Sequence, residues 1–492
     1  MIRRAVLRLV AVLSLALLPA VAVAQGAPRV ARQVAPRVAP QVAPQAAPLT
    51  LDEVLRSSAR SAPQIIEALA RVRQAEGRAL SADGAFDTVF DVDGRSRVAG
   101  YYDGTVIEGR ATRPLTNNGG YVYGNYRASR GTFPIYEDQA YTNRLGEAKV
   151  GALFALLRDR VVDERRTRRA VAATDIDVAR FEGEMAAIGV QRRAVDAYQT
   201  WVAAGLRLSA YRDLLELAET RRTAFARLVQ LGARPEILLT ENDANLVRRR
   251  GLVLRAEQDL AGAANALSLY LRDADGNPLT VSPDRLPRDA SALSGVPRAP
   301  RLAPAVERYD YRAILTRIDQ ATARLLLAQN DLSPRLDLRG ELGKDIGSSG
   351  LGGSNRTPLE AVVGFRFTVP LQNRAAKGRV AEARAEIDAL DQRSRFLRDQ
   401  IAVEVESIVI SADGAERLAS VAEAERTLAD RLAAAERRRF ELGTGDFFLV
   451  NQREETANDA RIRLIDAQAR IAATRAELAA ATADRTALGL TR

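Results

Sequence analysis

The chain has 492 residues, of which 47% are hydrophobic and 27% charged, with a net charge of +10 carried almost wholly by Arg. This is the composition of an ordered protein with roughly two to four domains' worth of length, not of a disordered chain. There is no Cys and no His, which excludes disulfides, thiol nucleophiles, zinc centres and Ser-His-Asp chemistry.

The N-terminus reads as a secretory signal over residues 1–24. Arg3 and Arg4 precede an apolar run, and Ala22-Val23-Ala24 forms a small-x-small cleavage pattern before Gln25. Residues 25–48 repeat a Val-Ala-Pro unit and read as a stiff linker. Beyond the signal no stretch is apolar and long enough for a transmembrane helix. A membrane-inserted form of this chain would therefore have to be a β-barrel.

From residue 49 the chain reads as two structural repeats in the same order: helix, β-hairpin, long helix, tip, long helix. The first covers 49–272. It has a helix over about 51–84, a hairpin over about 86–154 and a long helix pair with its tip near 232. In the hairpin, Phe90, Val92, Gly94, Ser96 and Val98 alternate with Asp91, Asp93, Arg95 and Arg97, and Ala148, Val150, Ala152 and Phe154 share a face. Residues 273–304 hold most of the mid-chain Pro and Gly and read as the linker between repeats. The second repeat, 305–492, has a hairpin over about 335–371 and a helix pair with its tip near 443. Arg335, Asp337, Arg339 and Glu341 alternate with Leu336, Leu338, Gly340 and Leu342. Val363, Phe365, Phe367 and Val369 alternate with Gly364, Arg366 and Thr368.

The duplication is visible in residues. Leu231-Gly232 recurs as Leu442-Gly443. The heptad Leu239, Leu246, Val253, Leu260, Leu267 recurs as Val450, Ala457, Leu464, Ile471, Leu478. Arg71, Gln74 and Gly94 align with Arg317, Gln320 and Gly340 at a larger offset, so the first repeat carries extra residues, which fall in 99–143. Sustained heptads predict coiled-coil packing. Helices of ~65–70 residues would be roughly 100 Å long, a length suited to a tube or stalk. Two hairpins give four strands, too few to close a barrel, so a membrane pore needs several chains. Arg335, Asp337, Arg339, Glu341 and Arg366 would then face a watery lumen and the Leu/Val/Phe face would meet lipid. An ordinary sheet packed on one side would show the same alternation; the signal and the tube-length helices favour membrane strands.

The order and spacing of several motifs resemble the TolC-like outer-membrane efflux family. These are Leu49-Thr50-Leu51-Asp52-Glu53-Val54-Leu55, Phe367-Thr368-Val369-Pro370-Leu371 followed by Gly378, and Arg438-Arg439-Phe440-Glu441-Leu442-Gly443-Thr444 opening the last helix. The resemblance covers about 49–488. It implies a mostly α fold with a small transmembrane β part: a homotrimer with a helical barrel in the periplasm and a twelve-stranded barrel, four strands per chain, in outer-membrane lipid of a Gram-negative bacterium. It further implies a passive exit channel of a tripartite efflux or type I secretion system, docked to a periplasmic adaptor (membrane fusion) protein and an inner-membrane transporter of RND or ABC type. Adaptor contacts would fall at the tips, Leu231, Gly232, Ala233 and Leu442, Gly443, Thr444, where Gly also serves as a helix cap.

Such channels often narrow their periplasmic mouth with an acidic ring. Gln452 stands at the matching position, so the candidate gate is Asp446, Phe447, Phe448 and Gln452, with both Phe residues alternatively ordinary seam packing. The segment 119–141, with Tyr121, Tyr123, Tyr126 and Tyr136, departs from the family's shorter first hairpin and would either extend that hairpin or supply an aromatic girdle.

No catalytic or metal constellation emerges and no cofactor is implied. Gly347-Ser348-Ser349-Gly350-Leu351-Gly352-Gly353 lacks a following Lys and precedes a strand, so it reads as a turn rather than a phosphate loop. Glu454 and Glu455 are adjacent and lie on different sides of a helix, so they make no acid/base pair. The Arg residues interleave with Glu and Asp along helices and read as solvated faces, not as a nucleic-acid surface. The competing readings are an exported structural coiled-coil protein without a pore, and a periplasmic adaptor, which would need β-rich domains between its helices. The cargo is not legible.

Overall fold

In the computed structural model, residues 47–294, 297, 308–351 and 356–490 are described. The signal, nearly all of the Val-Ala-Pro segment and part of the inter-repeat linker lie outside these residues. Two helices open the described chain, α1 (Leu51–Ser61) and α2 (Pro63–Asp83). Four strands follow: β1 (Val89–Ser96), β2 (Thr105–Pro114), β3 (Tyr121–Arg130) and β4 (Glu147–Ala155). Next come α3 (Glu164–Gln230), α4 (Ile237–Leu267) and α5 (Tyr309–Asn330). Strands β5 (Arg335–Asp345) and β6 (Glu360–Thr368) precede α6 (Arg374–Glu441) and α7 (Phe447–Ala481).

Helices α3 and α6 have 67 and 68 residues, so each is roughly 100 Å long at ~1.5 Å per residue. No Pro interrupts either one, and a Pro inside would remove a backbone donor and kink the helix. Asp163 caps α3 by accepting from Arg166 N at 3.0 Å, and Thr50 caps α1 in the same way from Glu53 N at 3.3 Å. The helices pack as neighbours in the order α2, α3, α5, α6 beside the sheet and α4, α3, α7, α6 toward the tips. Of the heptad residues, Leu246, Val253, Leu260, Leu267, Val450, Ala457, Leu464 and Leu478 are buried. They form the seams along which the shorter helices lie on the longer ones.

The sheet departs from the expected four strands. It has six, all antiparallel, in the order β1-β2-β3-β4-β5-β6. The extra pair, β2 and β3, comes from the segment 99–143, so the span 86–154 is two hairpins rather than one. The Gly and Asn residues there look like turn signals. The Tyr, Val and Ile between them favour strands, and neighbouring strands on both sides hold them in the pleat.

A buried core belts the middle of α3. Trp201 and Tyr198 meet Leu49 and Val54 from the N-terminal side, Leu267 and Leu271 from the end of α4, and Val281 and Leu293 from the segment read as a linker. Tyr198 Oη donates to Leu49 O at 3.0 Å, and Gln191 Nε2 donates to Leu55 O at 3.1 Å. Arg285, 3% exposed, pairs with Glu53 at 2.7 Å. The described part of the chain between the repeats is thus packed against α3 and tied to the first turn of α1.

Candidate functional site

The register of the sheet decides which side chains share a face. Phe365 stands opposite Leu338, Leu342 opposite Val150, Ala152 opposite Val122, Ala111 opposite Gly124, and Phe90 opposite Ala111. One face is therefore largely apolar across all six strands, with the charged residues Arg113, Arg130 and Lys344 on it only near strand ends. Its large residues are open: Phe365 and Val363 are each 79% exposed and Phe90 70%. The other face is ionic. Arg335, Asp337, Arg339, Glu341 and Arg366 all lie on it, as the alternation in the sequence predicts, and so do Asp91, Asp93, Glu108, Arg110, Arg127, Glu147 and Lys149.

The ionic face is the more crowded of the two. Arg127 pairs with Glu147 at 2.6 Å, Lys149 with Glu147 at 2.8 Å and with Glu341 at 3.5 Å, and Arg339 with Glu341 at 2.6 Å. Tyr123 Oη donates to Glu341 and receives a bond from Arg339 at 3.2 Å. The Tyr123 ring lies across Gly151, where a Cβ would come within 2.5 Å of it, so this contact needs glycine. Arg335 pairs with Asp337 at 2.7 Å, and Arg366 is exposed. Sequence reasoning missed Tyr123, Arg127, Glu147 and Lys149. The signal that could have found them is the alternation of Tyr121, Tyr123, Asn125 and Arg127 with Val122, Gly124 and Tyr126, a strand pattern among residues that otherwise read as turn.

The two helical tips have the same backbone geometry. Gly232 and Gly443 have φ of +68° and +81°. Gly232 N donates to Val229 O at 2.9 Å and Ala233 N to Leu228 O at 2.9 Å. Gly443 N donates to Phe440 O at 3.0 Å and Thr444 N to Arg439 O at 3.0 Å. Both are Schellman caps, which require a left-handed residue that glycine adopts without strain. Leu231 and Leu442 are each 73% exposed, an apolar side chain at the same place on each tip. The tips lie together: Arg234 sits over the Phe440 ring at 5.6 Å.

Of the candidate gate residues, Phe447 is 2% exposed and packs edge-on against Phe225 at 4.9 Å, with Phe440 completing the cluster. It packs in the seam between α3, α6 and α7. Asp446 caps α7 by accepting from Phe448 N at 3.1 Å. Phe448, 70% exposed, and Gln452, also exposed, stand free of that cluster.

One layer further from the tips, Glu454 is buried and held by Arg221 at 2.6 Å, Arg437 at 3.3 Å and Arg249 at 3.4 Å, drawn from α3, α6 and α4. Arg249, 1% exposed, also donates to Leu214 O at 2.8 Å. Burial pulls its guanidinium below the usual arginine range, while Glu454 acts in the opposite direction. An arginine keeps its charge even so, and the cluster joins all four tip-proximal helices.

No group of side chains suited to a metal ion occurs among the described residues. No described helix is long and apolar enough to cross a membrane.

Comparison with known proteins agrees with this architecture. Residues 305–484 match the family model described as outer membrane efflux protein, a family of channels rather than enzymes. No curated protein matches the chain. Among solved structures, the CmeC outer membrane channel of Campylobacter jejuni superposes with a TM-score of 0.61 at 15% identity, covering 88% of this chain and 85% of CmeC. The outer membrane protein VceC of Vibrio cholerae gives 0.60 at 15% identity, covering 88% of this chain and 96% of VceC. The MtrE outer membrane channel of Neisseria gonorrhoeae, in its open state, gives 0.60 at 14% identity over 91% of this chain and 95% of MtrE. The second half of the chain thus carries the outer membrane efflux protein signature, and the described chain has the fold of the TolC-like outer-membrane channels.

Proposed function

We propose that this chain is one of three subunits of a passive outer-membrane exit channel that extends into the periplasm of a Gram-negative bacterium. The observation that carries this reading is the inverted sheet, apolar and open on one face, ionic and crowded on the other, as lipid outside and water inside require. The flanking helices add to it. On α6, at one flank, Phe396, Val403, Ile410, Leu418, Val421 and Leu428 are all more than half exposed. On the opposite flank Val247 and Leu254 of α4 and Leu69 and Leu80 of α2 are likewise open. Two apolar stripes near heptad spacing are complementary surfaces for a ring of copies. A pore-free coiled-coil fibre would have use for the stripes but none for the sheet.

The paired tips, with Leu231 and Leu442 open, suit docking of a periplasmic adaptor, itself bound to an inner-membrane transporter of RND or ABC type, in a tripartite efflux or type I secretion system. Phe448 and Gln452, exposed beside the tip, with Asp446 capping the helix that carries them, are the residues we assign to the periplasmic mouth. The ionic face carries acidic and basic groups in close balance, so the pore should conduct ions with weak charge selectivity.

The test is direct. Outer-membrane extract should contain a trimer-sized, heat-modifiable band, and the purified trimer should open weakly selective conductances in planar bilayers. Recovery of the protein only as a soluble periplasmic monomer would overturn the assignment.

A further inference from the structure

We propose that the outer-membrane barrel of this protein has eighteen strands rather than twelve. In this arrangement β6 of each copy is hydrogen-bonded to β1 of the next, and the β2–β3 hairpin forms part of the wall. The proposal rests on the trimeric channel reading and specifies its pore.

Three observations carry it. First, the extra hairpin is built into the sheet on both sides. β2 is in register with β1 from Val89↔Thr112 to Ser96↔Thr105, and β3 with β4 from Tyr121↔Leu153 to Arg127↔Glu147. The apolar face continues across it, and the Arg127–Glu147 pair ties it to β4 on the ionic face. A hairpin folded away from the wall would share neither face with its neighbours.

Second, the two ends of the sheet are made to meet in copies of the same chain. β1 and β6 are the end strands, and an even number of antiparallel strands makes them run in opposite directions, as an antiparallel β6–β1 junction requires. Both show the same alternation, with Phe90 and Val92 on the apolar face of β1 and Val363 and Phe365 on that of β6. Open edges are not tolerated in lipid. The helices keep the same order as the strands they adjoin: α2 follows β1's flank and α6 follows β6's flank. A neighbour whose α6 covers the open stripe of α2 and α4 brings its β6 to β1.

Third, the widths agree. Six strands ~4.8 Å apart and tilted ~40° cover an arc of roughly 38 Å. Four helices packed ~9–10 Å apart cover roughly 36–40 Å. Four strands would cover roughly 25 Å and would have to taper from the helical wall. Three six-stranded sheets make a barrel ~36 Å across between backbones, against ~24 Å for twelve strands.

The chain has no Cys, so introduced pairs report cleanly. Val92→Cys in β1 would be combined in turn with Val363→Cys, Phe365→Cys and Phe367→Cys in β6, and the outer-membrane protein oxidised. The expected result is a covalent ladder reaching trimer for at least one pair. Electron cryomicroscopy of the unmodified protein should show a barrel ~36 Å wide. A variant with residues 98–145 replaced by an Asn-Gly turn should narrow it by about one third. A trimer with a ~24 Å barrel, or one in which no β1–β6 pair cross-links, would overturn the eighteen-stranded wall while leaving the channel reading standing. Absence of any trimer would instead remove the parent reading. Should the shortened variant fail to insert, the unmodified barrel's width and the cross-links still decide.

Discussion

The sheet and the helical body put their apolar side chains in opposite places. Around α3, Trp201 and Val202 are completely buried and Tyr198 nearly so, while the exposed positions Arg212 and Asp213 are charged. In the sheet the large apolar residues Phe90, Val363 and Phe365 are open, while Glu147, 5% exposed, and Asp337, 4% exposed, lie within a crowded ionic face. The same hydrophobic effect underlies both. On the channel reading proposed above, what differs is the solvent on the outside, water for the helices and hydrocarbon for the sheet. The contrast also shows where charge can be buried: Glu454 in the helical body and Glu147 on the ionic face are each paired with more than one cation.

The strongest challenge to this contrast is Glu454→Ala. Removing the carboxylate leaves Arg249 buried without its anionic partner, and loss of one member of a buried pair costs about 3–5 kcal/mol. Thermal denaturation followed by circular dichroism should show a large loss, and Arg249→Met in the same background should recover much of it. Little loss in the single variant would mean that water reaches this layer and that the helical body is not dry there.

Next in size is Phe365→Arg. With the apolar face in lipid as proposed, an arginine there near the middle of a strand costs about 2–4 kcal/mol, whereas Arg366→Gln, one residue along and on the ionic face, should change stability by less than about 0.5 kcal/mol. The measurement is the fraction of heat-modifiable protein in the outer membrane. Equal tolerance of both substitutions would contradict the assignment of faces.

The smallest effect concerns Tyr198. Its hydroxyl donates to Leu49 O, and burial raises its pKa from 10.0 to about 12. The protonated form is favoured in the folded chain, so the contribution is complete below pH 10 and is lost as pH rises through about 12. Tyr198→Phe should cost about 1 kcal/mol at neutral pH and should lose stability less steeply than the parent between these pH values. Parallel alkaline melting curves would show that this residue is not the source of the slope.

Much of the fold was legible in the sequence because it is periodic. The alternations at Arg335–Asp345 and at Phe365 and Phe367 mark β5 and β6 and give the faces of their residues. The heptads give the helical seams, and Leu-Gly marks both helix ends, where the caps form. The strands β2 and β3 were not legible as strands, because Gly109, Gly124 and Asn125 are turn residues by type. The buried role of Phe447 stayed open between gate and seam, since a phenylalanine beside a tip suits either.

The sequence by itself determined what is local and repetitive: the absence of thiol and imidazole chemistry, the two long Pro-free helices, the glycine caps and the alternation of most strands. Only the tertiary structure decided the six-stranded count, the meeting of Arg221, Arg249 and Arg437 on Glu454, and the packing of the mid-chain segment against α3. Periodicity is written in neighbouring residues. These contacts join residues far apart in the chain, and nothing local to any one of them names its partner.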